Sequence, residues 1–187
     1  MNNFDKKVLR NIHLAKRLKL SKKFTAQASQ KIANRVLSLV EVANNKTFSL
    51  YLPIRGEVET NLIIDTLVAR DARIFVPAYS LEIKNYMFSQ FGNWKDLEKG
   101  PLGILQPIEI NPVDSASIEV AIIPGLAFSR KGVRLGYGKG VFDRLLAKSK
   151  AIRIGITYDF QIVDKIPKEE HDLAMDLVVT EKRVIRS

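Results

Sequence analysis

VAIIPGLAFSRKGVRLGYGKGVFDR, residues 120–144, carries the strongest structural signal in the chain. Val120, Ala121, Ile122 and Ile123 form a continuous apolar run, the pattern of a strand buried on both faces. Pro124-Gly125 turns the chain. In the loop that follows, Gly132, Gly136, Gly138 and Gly140 are interleaved with Arg130, Lys131, Arg134 and Lys139. Helical character resumes at Val141, Phe142, Leu145 and Leu146. Four of the chain's 10 glycines therefore fall within nine residues. Glycine is costly in backbone entropy, so such a cluster implies positive φ or a backbone that approaches a ligand closely. A cation-bearing glycine loop between a strand and a helix is physically suited to hold phosphate.

Outward from this stretch, strands and helices alternate. Val8, Leu9, Ile12, Ala15 and Leu18 recur at helical spacing and predict an amphipathic helix over residues 4–19. Ser21 is placed to cap a second helix, whose stripe is Phe24, Ala28, Ile32, Val36, Leu39 and Val40, ending at Asn44-Asn45. A strand over 47–52 is halted by Pro53 and leads into Ile54-Arg55-Gly56-Glu57. Thr60 is expected to cap a third helix, 61–70, and 73–76 is a short buried strand. Residues 78–118 are less periodic, with one strand expected at 86–89 and turns at 100–103 and Asn111-Pro112. Strands at 120–123, 153–157 and 177–180, a helix over 140–148 and a basic tail complete the chain. This alternation predicts the α/β class. The expected architecture is a single three-layer domain over 1–187, with a central, largely parallel sheet flanked by helices. Residues 1–44 are expected to form an N-terminal basic helical arm packed on it.

The 187-residue chain is 46% hydrophobic and 27% charged, enough apolar material for a sizeable core. No run approaches the roughly 18 apolar residues of a membrane span, and the N-terminus lacks the apolar core of a signal peptide. With 0 cysteines there are no disulfides, no thiol catalysis and no zinc–thiolate site. A cytoplasmic protein is expected. Of the net charge of +10, +9 comes from residues 1–35, where ten Lys and Arg face the single acid Asp5. A basic arm of this kind suits nucleic acid, an anionic small molecule, or simply solvent.

Arg134–Gly140 (RLGYGKG) is not a P-loop, since Lys139 is followed by Gly140 where Ser or Thr is needed. Nor is it the dinucleotide fingerprint, because its third glycine arrives one residue early. Its chemistry still points to a di- or triphosphate, held by exposed amides, Lys139 and Arg134 through charge-assisted bonds. Asp143, in the first turn of the next helix, suits either the helix dipole or Mg²⁺ held against phosphate oxygens. Asp172 and Asp176 are candidates for a second carboxylate. Glu57 follows the C-terminal end of the first strand, where open α/β sheets bind ligands; an exposed loop acid is the plainer alternative. Phe128 and Tyr137 are placed either to stack on a flat ring or to pack, and Trp94 to pack locally. Neither His13 nor His171 has a partner at catalytic spacing, and Ser129 is not in a nucleophile elbow.

Together these residues resemble a known family. The run IIPGLAFSRKGVRLGYGKGVFDR is similar to the signature of the 5-formyltetrahydrofolate cyclo-ligases, also called 5,10-methenyltetrahydrofolate synthetases. Three further features fit in order: Lys6-Lys7-Val8-Leu9-Arg10, Leu52-Pro53-x-x-Gly56-Glu57-Val58-Glu59-Thr60, and Asp176-x-Val178-Val179-Thr180. The resemblance implies an α/β enzyme that uses MgATP to cyclise 5-formyltetrahydrofolate, with or without a polyglutamate tail, to 5,10-methenyltetrahydrofolate. ADP and phosphate are the other products. It places Lys6, Lys7, Val8, Leu9 and Arg10 near the nucleotide, with Lys6, Lys7 and Arg10 near substrate as well. It lines the nucleotide site with Arg134, Leu135, Gly136, Tyr137, Gly138, Lys139, Gly140, Val141 and Phe142, of which Tyr137 through Val141 also touch folate. Leu52 and Glu57 fall on the pterin side, Asp143 and Asp176 on Mg²⁺, and Lys139, Arg134 and Arg10 carry the catalysis. One departure stands out: the family commonly reads Gly-Lys-Gly-Tyr-Tyr-Asp, and this chain has Val141-Phe142, which removes two hydroxyls and one ring.

The implied chemistry is attack of the formyl oxygen on the γ-phosphate, then closure by N10 onto the formyl carbon with loss of phosphate. Phosphoryl transfer of this kind needs positioning and charge neutralisation more than a protein nucleophile. A monomer is expected, with a small-molecule substrate and neither nucleic acid nor membrane as partner. Two alternatives stay open: a nucleic-acid module using residues 6–35, whose binding would fall steeply with salt, and a relative that has lost activity.

Overall fold

The computed structural model describes residues 6–167, 169 and 172–187, with the backbone alone at Leu102. Phe4, Asp5 and His171 lie outside the described residues. Helix α1 spans Lys6–Leu18 and α2 spans Lys22–Leu37. Ser21 caps α2 as expected, its hydroxyl accepting from the Phe24 N–H at 3.2 Å. The second helix does not run on to Asn44. Ser38 closes it by donating its hydroxyl to the Arg35 carbonyl at 2.8 Å, and a one-turn α3 (Val40–Ala43) follows. Ala28, Ile32, Ala33 and Val36 of α2 join the same buried cluster as the sheet.

The first helix is inverted relative to the usual rule that the apolar stripe faces the core. Val8, Ile12 and Leu18 are exposed, while the residues it buries are His13 and Arg17. Lys6, Arg10, His13 and Arg17 share one face at helical spacing, and that polar face is the one turned inward.

From the arm the chain enters β1 (Thr47–Ser49), α4 (Asn61–Val68) and a hairpin of β2 (Arg73–Ser80) and β3 (Asn85–Gln90). Thr60 does not cap α4 with its side chain; its hydroxyl donates to the Tyr51 carbonyl at 2.8 Å. The irregular stretch 78–118 holds more strand than expected: the outer half of the hairpin, a ribbon of β4 (Leu97–Lys99) with β5 (Leu105–Pro107), and β6 (Pro112–Val113). Its polar residues hid the pattern. Gln106 is buried because its side chain accepts from the Tyr79 N–H at 3.0 Å and donates to Glu98 at 3.2 Å.

The quoted stretch supplies β7 (Val120–Pro124), β8 (Ala127–Ser129), β9 (Arg134–Leu135) and α5 (Val141–Leu145). Then come β10 (Ile152–Ile156), β11 (Ile162–Val163), β12 (Leu177–Val179) and β13 (Val184–Arg186). The basic tail is thus an edge strand, pinned by an ion pair from Arg186 to Glu41. The main sheet has the order β13-β12-β10-β7-β1-β2-β3-β6. Its centre, β12 through β2, is parallel throughout, and only the edges are antiparallel. The expected fold class is therefore observed, with a small β11-β8-β9 sheet added to it. Adjacent strands β1 and β7 send the chain in opposite directions, to β2 and towards β10. The gap beyond their C-terminal ends is a topological switch point, where open α/β sheets hold ligands.

Phe128 proves to be core: it is 0% exposed and lies between Gly125 and Gly155. A Cβ on Gly155 would meet the ring at 2.5 Å, and one on Gly125 would meet it at 2.6 Å. Gly155→Ala should therefore destabilise the protein by about 1–3 kcal/mol, the usual cost of overpacking. At Gly92 an added Cβ meets only Asp96, at 4.0 Å, and Gly92→Ala should stay within about 0.5 kcal/mol. Urea denaturation of both variants checks the pair; equal stabilities would remove the proposed packing constraint.

Candidate functional site

At the switch point lies a cavity of about 370 Å³. Tyr51, Leu52 and Ile54 reach it from the segment after β1, and Pro77, Tyr86 and Ile104 from the hairpin and ribbon side, all largely apolar. Lys6 and Arg10 of α1 reach it together with Arg134 and Lys139 of the glycine loop, all cationic. An open recess adjoins it along Lys139, Asp143, Arg144 and Asp172.

The glycine loop is shaped by the arm. Gly138 has φ 92°, and a Cβ there would stand 3.3 Å from the Arg10 guanidinium, so both conformation and space call for glycine. Arg10 Nε in turn donates to the Gly136 carbonyl at 3.0 Å. Lys6 Nζ bridges Asp172 at 2.7 Å and Glu169 at 3.0 Å, tying the start of α1 to the cleft rim. Burial alone would lower the Lys6 pKa, but hydrogen bonds to Asp172 and Glu169 outweigh it and raise it. Arg134 lies behind the loop, donating to Asp143 Oδ2 at 2.5 Å and to the Pro124 carbonyl at 3.2 Å, while its buried Nε has no partner among the described residues. Lys139 forms no ion pair among the described residues, and its carbonyl accepts from Arg144 at 2.8 Å.

The helix after the loop is shorter than expected. It has five residues and begins at Gly140 in the left-handed region, φ 59°. Its dipole is correspondingly small, which leaves the cations of the loop and arm as the main positive charge at the cavity.

Glu57 is built into a tight turn. Its N–H donates to Ile54 O at 3.0 Å, its Oε2 accepts from Ile54 N at 3.0 Å, and Tyr158 donates to its carbonyl at 3.1 Å. Gly56, at φ 71°, makes the turn possible. The carboxylate is buried, 4% exposed, with the Arg17 guanidinium 3.8 Å away. Burial pushes the Glu57 pKa up; Arg17 and the Ile54 N–H pull against it without cancelling it. The Tyr137 hydroxyl accepts from Arg17 Nη2, and burial beside Glu57 raises its pKa to about 12, so it stays protonated at neutral pH.

Most of the expected site residues meet here: Lys6, Arg10, Leu52, Glu57 and every residue from Arg134 to Asp143 line the cavity. Lys7 and Val8 are exposed and Leu9 packs under the small sheet, so none of the three lines it. Asp176 is not brought to Asp143. It precedes β12, at the opposite end of the parallel strands, and its Oδ2 accepts from the Arg153 N–H at 2.7 Å. Asp172, the other carboxylate weighed, lines both the cavity and the recess with Asp143. Among the described residues there is no cluster of three metal-ligating side chains. Mg²⁺ needs only one or two carboxylates when phosphate and water complete its shell, and Asp143 with Asp172 fit that requirement. Sequence reasoning missed Arg17, Arg55, Tyr51, Tyr86 and Ile104. Arg17 alone carried a signal, as the next member of the polar face begun by Lys6, Arg10 and His13.

Residues 2–181 match the model of the 5-formyltetrahydrofolate cyclo-ligase family. The chain is 30% identical to a 5-formyltetrahydrofolate cyclo-ligase of Escherichia coli over 84% of this chain and 90% of that protein. It is 30% identical to one of Mycoplasma genitalium over 94% and 97%. The NMR structure of Aquifex aeolicus 5,10-methenyltetrahydrofolate synthetase superposes with a TM-score of 0.85 at 33% identity, covering 97% of this chain and 92% of that one. Among the described residues, no helix is long and apolar enough to cross a membrane.

The raised pKa of Glu57 has a signed consequence for stability. The folded state holds its proton more tightly than the unfolded state, so stability falls as pH rises from the ordinary value of 4.5 through the raised folded value. Glu57→Gln removes this dependence. Its stability relative to the parent should grow with pH across that window and then level off. Urea titrations at a series of pH values check this, and a constant difference would show that Glu57 titrates alike in both states.

Proposed function

The chain belongs to the 5-formyltetrahydrofolate cyclo-ligase family, and we propose that the cleft between β1 and β7 is where it carries out that family's ATP-dependent cyclisation to 5,10-methenyltetrahydrofolate. The observation that carries the placement is the division of the cavity. Cations of the arm and glycine loop meet apolar side chains of the post-β1 segment, hairpin and ribbon at a topological switch point. A triphosphate requires the first and a pterin ring the second.

In this reading Lys139 and Arg10 neutralise the triphosphate while the formyl oxygen attacks its terminal phosphorus. Arg134 is a strut: held by Asp143 and the Pro124 carbonyl, it fixes the loop from behind. Leu52 packs on the pterin, and Glu57 accepts hydrogen bonds from pterin N–H groups, fixing which face N10 presents to the formyl carbon. Tyr86 and Ile104, from the stretch whose role the sequence left open, help keep water from the phosphorylated formyl group before N10 closes on it. Asp143 and Asp172 would hold Mg²⁺, which supplies charge neutralisation at phosphate oxygens when bound. Phe142 is 8% exposed and packs edge-on against Phe88 at 6.5 Å, so its ring serves the wall of the site. The arm and the sheet act as one catalytic unit, since Lys6, Arg10 and the loop complete one cavity. We place the enzyme in the cytoplasm as a monomer.

Mixing protein, 5-formyltetrahydrofolate and MgATP should develop the absorbance of the methenyl product; no product would overturn the reading. Lys139→Ala should keep the fold and lower kcat by about 10²–10³, the cost of one preorganised charge contact. A rate like the parent's would take the glycine loop out of the mechanism. Asp143→Asn should raise the half-saturating Mg²⁺ concentration, and Asp176→Asn should leave it unchanged. The reverse pattern would return the metal to Asp176.

A further inference from the structure

Arg17 is the largest fully buried side chain among the described residues, 2% exposed, and it does not line the cavity. Its guanidinium lies behind the cavity wall and reaches the three segments that build it. Nε donates to the Arg55 carbonyl at 3.1 Å, Nη1 to the Gly125 carbonyl at 3.1 Å, and Nη2 to the Tyr137 hydroxyl. Arg55 belongs to the turn after β1, Gly125 to the turn after β7, and Tyr137 to the glycine loop. The guanidinium carbon lies 5.5 Å from the Tyr137 ring centre, with Arg55 at 5.8 Å from the same ring. Nη2 is also 3.8 Å from Glu57 Oε1. A planar fork with five donors can satisfy this set at once; an ammonium cannot.

We propose that Arg17 is a positioning residue for the folate substrate: from behind the wall it holds Tyr137 and Glu57 in register, so that the Glu57 carboxyl group is presented to the pterin. The inference rests on the placement of the pterin at Glu57 given above. Tyr137 is the hinge of the arrangement: its hydroxyl accepts from the same Arg17 nitrogen that faces Glu57 Oε1. Arg17 acts as the counter-charge that opposes the effect of burial on Glu57, with the Ile54 N–H and Arg55 as its other allies. The phosphate side of the cavity depends on different residues, Arg10 and Lys139, so the effect of Arg17 falls on one substrate and not the other.

The test is steady-state kinetics of Arg17→Met, Arg17→Lys, Tyr137→Phe and Glu57→Gln, with KM for 5-formyltetrahydrofolate and for ATP measured across pH. Arg17→Met should raise the folate KM between about tenfold and a hundredfold, the range for a misplaced binding group, with the ATP KM within about twofold. Its folate kcat/KM should also acquire an acidic limb displaced to higher pH, because Glu57 has lost its counter-charge. Arg17→Lys should restore the limb and recover only part of the KM. In the background of Glu57→Gln, Arg17→Met should add little, as coupled residues do. Equal loss in both KM values, or an unmoved pH limb, would reduce Arg17 to scaffolding and overturn the inference. Should Arg17→Met fail to fold, Arg17→Lys and Tyr137→Phe carry the test. Both must raise the folate KM selectively, and a selective effect in neither overturns it. An unchanged folate KM in Glu57→Gln would instead refute the pterin placement itself.

Discussion

The structure depends on burying a charged helix face. Lys6, Arg10, His13 and Arg17 point from α1 into the body while Val8, Ile12 and Leu18 face outward. Such an interface gains little from the hydrophobic effect, which the exposed stripe forgoes. It holds because each cation finds a specific acceptor: Asp172 and Glu169 for Lys6, the Gly136 carbonyl for Arg10, and carbonyls of two turns for Arg17. Asp172, Glu169, Gly136 and Arg55 also line the cavity. The arm docks by completing the cavity, so the groups that anchor it also line the proposed site.

This arrangement places charge where water is scarce, which raises both its cost and its effect. Arg17 and Glu57 are both nearly inaccessible, and removing either leaves the other uncompensated. His13, on the same face, has its pKa lowered by burial and by nearby Lys16. It is buried without a partner for Nδ1 among the described residues, a neutral spacer in a row of cations.

The sheet was legible because residues 120–123 and 177–179 are apolar without interruption, and continuous runs imply strands buried on both faces. Between residues 78 and 107 only the strand at 86–89 was legible, since Gln106 and the exposed Leu81 and Ile83 break the alternation on which such readings rely. The glycine loop announced itself by composition, yet its short helix did not, because Gly140 uses the left-handed region and five residues suffice to turn the chain. Glu57 was legible from its position after a strand. Asp176, which precedes β12, lies at the N-terminal end of the parallel strands, away from the cavity. Arg17 was hidden by a habit of expectation, that a lysine- and arginine-rich helix shows its charges to solvent.

The proposed reading comes down to one geometry: nucleotide against the arm and glycine loop, pterin against the segment after β1, and the formyl group between them. A structure of the protein with 5-formyltetrahydrofolate and a non-hydrolysable ATP analogue tests it directly. The account predicts the terminal phosphate within hydrogen-bonding reach of Lys139 and Arg10, and pterin nitrogens within reach of Glu57. A triphosphate bound away from the glycine loop, or a pterin turned away from Glu57, would contradict it.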